Sequence, residues 1–176
     1  MRRTVLVSVA VVIALVMASG PALAETITCD DTPPCYGTPE RDDITGTATG
    51  DQTIYALGGN DRVIAGADGD TVYGAAGIDN LMSLDGDDTV FGGSDGDRIE
   101  VGGGSDTAYG GRGSDEFLLG IGDSAGTTDR GYGGGGNDTI EANDGNVDVI
   151  DCGKGTDRVY YDVGTDTIKN CEIKNP

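Results

Sequence analysis

The chain has 176 residues, 31 acidic against 11 basic side chains, a net charge of −20, 32 glycines and neither histidine nor tryptophan. So negative a chain repels phosphates, which excludes nucleic acid as a partner, and the lack of histidine removes Ser-His-Asp, Cys-His and histidine-zinc chemistry. High charge with little apolar surface ordinarily predicts disorder, so something must neutralise the acids before this chain can be compact.

At the N-terminus, Arg2 and Arg3 precede an apolar run from Thr4 to Met17, and Ala22-Leu23-Ala24 supplies a small-x-small cleavage pattern. This is the layout of a secretory signal over residues 1–24. The apolar run is shorter than the roughly 20 residues a membrane span needs, so no span is expected in the mature chain. Cleavage before Glu25 removes two arginines and no acid, taking the net charge from −20 to −22. The mature protein is expected to be secreted. Residues 25–36 then form a short segment carrying Cys29 and Cys35.

From Ala56 to Leu118 a nine-residue unit recurs seven times without a gap, as ALGGNDRVI, AGADGDTVY, GAAGIDNLM, SLDGDDTVF, GGSDGDRIE, VGGGSDTAY and GGRGSDEFL. The sixth residue is always aspartate: Asp61, Asp70, Asp79, Asp88, Asp97, Asp106 and Asp115. The frame extends outward to Asp42 in a copy from Gly37 to Thr45, and to Asp138, Asp148, Asp157 and Asp166 near the C-terminus. A ten-residue copy from Gly46 to Tyr55 carries Gln52 in place of the acid, and Leu119 to Tyr132 is a copy with five extra residues, its phase kept by Asp129. Fourteen copies run from Gly37 to Lys169, leaving no stretch for a second domain in residues 37–176.

Each copy begins with turn-forming Gly, Asp and Asn and ends in three residues that alternate outward, inward, outward, a minimal strand. Its one apolar side chain can be buried only against stacked neighbours, the logic of a solenoid. Two copies make one coil of 18 residues, about seven coils in all, with strands on opposite faces of a thin roll. The eighth positions then fill the interior as a single row: Ile44, Ile54, Val63, Val72, Leu81, Val90, Ile99, Ala108, Phe117, Ile140, Ile150, Val159 and Ile168.

Copies two apart stack directly, so aspartates 18 residues apart lie about 4.8 Å from each other along one edge. Carboxylates at that spacing repel unless a cation lies between them. An oxygen-only donor set at that spacing suits calcium, whose ligands lie at about 2.3–2.6 Å. The copies resemble the hemolysin-type calcium-binding (RTX) repeat, G-G-x-G-x-D-x-U-x. The resemblance implies an all-β fold, a parallel β-roll, with several Ca2+ ions bound between a turn and the turn two copies on. It pairs Asp61 with Asp79, Asp79 with Asp97 and Asp97 with Asp115 on one edge, and Asp70 with Asp88 and Asp88 with Asp106 on the other. Fourth-position carbonyls at Gly59, Gly77, Gly86, Gly104 and Gly113 are the expected further donors. The long copy is expected to interrupt the metal row, with Asp138–Asp157 and Asp148–Asp166 forming a shorter second row. Asp68 and Asp95 replace the fourth glycine but tolerate left-handed backbone, so the turn is expected to survive there.

At spacing 18, Tyr55, Tyr73, Phe91 and Tyr109 form an outward aromatic ladder beside Thr71, Thr89 and Thr107. Such a ladder stabilises a sheet face by packing. It is also a candidate binding face for an extracellular glycan or protein, which makes a cell-surface interaction protein the alternative reading. Four cysteines in a secreted chain imply disulfides. Of three pairings, Cys29–Cys35 and Cys152–Cys171 avoid bridging the whole stack, since the solenoid sets the second pair one layer apart. The expected function is calcium-driven folding of a non-catalytic secreted protein.

Overall fold

A computed structural model describes residues 24–29, 34–47, 49–122 and 124–176; all but the last residue of the expected signal segment lies outside the described residues. Among these residues there are only strands and turns. Nine strands form one sheet: β1 (Glu25–Thr28), β3 (Asp42–Thr45), β5 (Arg62–Ala67), β7 (Asn80–Asp85), β9 (Arg98–Glu100), β11 (Glu116–Leu118), β13 (Thr139–Ala142), β15 (Arg158–Tyr161) and β17 (Ile173–Asn175). Eight form the other: β2 (Cys35–Tyr36), β4 (Thr53–Tyr55), β6 (Thr71–Ala76), β8 (Thr89–Ser94), β10 (Thr107–Arg112), β12 (Arg130–Gly135), β14 (Val149–Lys154) and β16 (Thr167–Lys169). Consecutive strands alternate between the sheets, and each pairs in parallel with the strand two further on.

The result is a parallel β-roll, as the repeat predicts, of about eight turns. The count exceeds seven because the ends join the stack. β1 pairs with β3 and β2 with β4, so these two strands begin the stack, and β17 closes the other end on β15.

The eighth-position row is buried throughout, except that Ile168 in the last coil is only partly covered. A second interior row was not anticipated. The first residue of each copy also points inward, because the strand continues through the ninth position. Ala56, Ala65, Ser83, Val101, Leu119, Ala142 and Cys152 are therefore buried beside the aliphatic row. The core thus has a second, partial row of side chains, interrupted where the first residue is glycine.

The five extra residues after Leu119 do not break the stack. β10 still pairs with β12, Thr107 opposite Arg130 and Tyr109 opposite Tyr132, and the surplus bulges out at the turn. Two disulfides staple the ends in the expected pairing. Cys29–Cys35 ties the first coil (Cα–Cα 5.5 Å), and Cys152–Cys171 ties the last two (Cα–Cα 5.2 Å).

Candidate metal centre

The sixth and eighth positions share parity along the strand, so the aspartates point inward at the two edges of the roll. Asp61, Asp70, Asp79, Asp88, Asp97 and Asp115 are each no more than 2% exposed. One carboxylate oxygen of each has a fixed partner. Asp79 Oδ1 accepts from the Asp61 backbone N–H at 2.8 Å, Asp97 Oδ1 from Asp79 at 2.9 Å, and Asp115 Oδ1 from Asp97 at 2.8 Å. The same bond runs from Asp42 to Asp61 at one end, through Asp138 and Asp157, and finishes on Glu172. We call this the Asp97 edge.

The Asp88 edge repeats the scheme. It starts at the Gln52 backbone, passes through Asp70, Asp88 and Asp106, and reaches Asp148 and Asp166. Here Asp129 takes the sixth position of the long copy: its Oδ1 accepts from the Asp106 N–H at 2.8 Å, and its own N–H donates to Asp148 at 2.9 Å. The hydrogen-bonded rows therefore run unbroken past residues 119–132, because parallel pairing fixes the strand start while the turn absorbs the insertion. Asp129 belongs with the candidate ligands. The sequence marks it as keeping the phase of the long copy, and the insertion before it kept it out of the expected ligand set.

The second oxygen is a different matter. Oδ2 of Asp61, Asp70, Asp79, Asp88, Asp97, Asp115, Asp138, Asp148 and Asp157 is buried with no hydrogen-bond partner. A buried acceptor left so costs on the order of 1–3 kcal/mol, and more when charged. Burial accordingly pushes these carboxyls up from the usual 3.8, to about 6 for Asp61, Asp70, Asp79 and Asp138 and to about 7 for Asp97 and Asp148. The backbone N–H bond to Oδ1 pulls the other way, and neighbouring carboxylates add to the rise. The end rungs differ. Asp42 Oδ2 accepts from the Thr38 N–H at 2.6 Å and Asp166 Oδ2 from the Asp162 N–H at 2.7 Å, so both oxygens of each are engaged. Gln52 turns its amide onto the Thr47 hydroxyl.

Carbonyl oxygens reach the same space. A Cβ built on Gly74 would lie 2.5 Å from Asp79 Oδ2 and 2.7 Å from the Gly92 carbonyl oxygen; on Gly92 it would meet Asp97 Oδ2 at 2.5 Å and the Gly110 carbonyl at 2.8 Å. Gly110 and Gly133 repeat this more tightly, against Asp115 and Asp138. The first-position carbonyls thus converge with the carboxylates, and the sequence pattern had not singled them out. The fourth-position residues Gly59, Gly77, Gly86, Gly104 and Gly113 all have positive φ and stack closely on the coil before, each facing the carbonyl of that coil's fourth residue. Asp68 and Asp95 keep this turn at φ 69° and 74°. A hard cation fits this donor set, which is oxygen only. Among the described residues no three acidic or cysteine side chains converge, so such an ion would take most of its ligands from the main chain.

On the eight-stranded face the aromatic ladder is longer than expected. Tyr36 and Tyr132 extend it to six rings, with centroids 4.8–5.2 Å apart and planes within 14° of parallel. Beyond Tyr132 the register passes to Asp151 and Lys169, which pair at 2.6 Å. Stacking covers the ring faces with one another, and edges and hydroxyls point outward.

A stack of parallel turns with inward acids and main-chain oxygens along its edges defines a calcium-type β-roll. The family model described as the RTX calcium-binding nonapeptide repeat (4 copies) matches residues 47–81, 82–117, 91–124, 125–146 and 132–168. The chain belongs to that family. Comparison with curated proteins and with solved structures found no match.

Proposed function

We propose that this is a secreted calcium-binding protein whose folding is driven by calcium held in the stacked Asp/Gly turns. The observation that carries the reading is the series of buried Oδ2 atoms without partners, in a chain with a net charge of −20. Without a cation, desolvation and mutual repulsion both oppose the roll. With one, each carboxylate gains an opposite charge, and ion binding becomes folding free energy. Buried aspartates of these rows hold the ions, and the glycine turns supply neutral oxygens.

Secretion is supported by the N-terminal signal pattern and by two disulfides, which persist in oxidising compartments. Millimolar calcium outside the cell would then fold a chain that stays open where calcium is scarce. We read the roll as structural rather than catalytic, because its carboxylates are spaced by stacking and engaged by backbone. A glycan or protein ligand on the Tyr55–Tyr109 face gains no support from the ladder, whose ring faces are already covered.

Far-UV circular dichroism at neutral pH tests the reading. Adding calcium to the chelated mature protein should produce the β signal, and chelator should remove it. A full β signal that is indifferent to calcium would refute it.

A further inference from the structure

We infer that the two edges of the roll are not equivalent: divalent cations are held along the Asp97 edge, and the Asp88 edge is closed by side chains instead. The inference rests on the calcium-binding reading and adds which of this chain's residues hold the ions.

The distinction lies at the first position of each copy. On the Asp97 edge four consecutive coils have glycine there, Gly74, Gly92, Gly110 and Gly133, in the copies of Asp79, Asp97, Asp115 and Asp138. At each of these a carboxylate oxygen and the first-position carbonyl of the next coil both crowd the point where a Cβ would stand, at 2.8 Å or less. Atoms that close to a Cβ are not tolerated, so this convergence of oxygens exists only because the residue is glycine.

On the Asp88 edge the same position is Ala65, Ser83, Val101, Leu119 and Ala142 in five consecutive coils, each at most 3% exposed. A Cβ there forbids the paired approach of carboxylate and carbonyl. The larger side chains of Val101 and Leu119 are buried in the apolar core, with Leu119 Cδ1 packed toward Gly131. Oδ2 of Asp70, Asp88 and Asp148 is buried without a partner too, so the carboxylates alone do not separate the edges; the first-position side chains do. The buried apolar row on this edge adds packing where the other edge has oxygens facing one another.

Each of the four glycine coils faces the coil after it, which gives four intervals: Asp79 to Asp97, Asp97 to Asp115, Asp115 to Asp138 and Asp138 to Asp157. Calorimetric titration of the chelated mature protein with calcium should give a stoichiometry near four. Gly92→Ala should lower that number. Val101→Ala, a packing change at the same position of the opposite row, should leave it unchanged and so control for disturbance of the core. Anomalous scattering from crystals of the unaltered protein grown with calcium should place ions beside Asp79, Asp97, Asp115 and Asp138. Ions beside Asp70, Asp88 or Asp106, or a Gly92→Ala protein with the full number of ions, would overturn the inference while leaving calcium binding intact. No calcium uptake at all would overturn the functional reading as well.

Discussion

Gly110 has no Cβ, and a methyl group there would fall against the Asp115 carboxylate and 2.7 Å from the Gly133 carbonyl oxygen. Neither neighbour is a flexible side-chain tip free to swing away, since Asp115 Oδ1 is bound to the Asp97 backbone. Overpacking of this kind typically costs about 1–3 kcal/mol, so Gly110→Ala should lower the urea midpoint in saturating calcium by that measure. The opposite change helps at Leu57, which sits at φ 77° and is 43% exposed. Left-handed backbone costs a non-glycine residue about 1–2 kcal/mol, so Leu57→Gly should raise the midpoint in the same assay. A Gly110→Ala protein as stable as its parent would show that the first position tolerates a side chain on either edge. In the sequence, first-position Ala, Ser and Val read only as lapses from a motif. Their meaning depends on which edge a copy occupies, and that needs the strand parity which turns the first residue inward.

At the scale of the strand, the aromatic column and the aliphatic row were legible from spacing alone, because 18 residues make one coil. Tyr36 and Tyr132 escaped, being 19 and 23 residues from their neighbours Tyr55 and Tyr109. Asp129 was placed in phase by the sequence but left out of the expected ligand rows, because the insertion shifts it by five residues. Loop length varies at the turn while strand pairing does not, so a fixed period loses exactly those residues that follow an irregular turn. Phe91 has a ring on both sides, Tyr73 and Tyr109, whereas Tyr36 has only Tyr55. Each stacked pair contributes about 0.5–1.5 kcal/mol beyond area burial. Phe91→Ala should therefore cost roughly twice what Tyr36→Ala does in calcium-saturated denaturation. Equal costs would mean that the column is not a cooperative stack and that its rings serve separately.

The whole molecule sets a charge of −20 against a thin core, and pH decides how much of that charge the metal-free roll must carry. In the metal-free roll the carboxyls of Asp61, Asp70, Asp79 and Asp138 sit at about 6 and those of Asp97 and Asp148 at about 7, above the ordinary 3.8. A raised folded-state value means that the roll binds protons more tightly than the open chain does. Its stabilising effect is complete below about pH 3.8 and is lost as pH rises through 6 to 7. Acid should therefore stand in for calcium: the chelated protein, open at pH 8, should gain β signal as pH falls toward 4. Calcium needs the charged carboxylates, so its apparent affinity should fall over the same range, with protons displaced on binding. Circular dichroism across pH 4–8, with calcium and with chelator, reads both limbs. The two curves should converge at low pH and separate above about 6. If the chelated protein instead lost structure on acidification, the buried aspartates would be stabilised as anions by the fold itself, and the case for a cation beside them would fail with them.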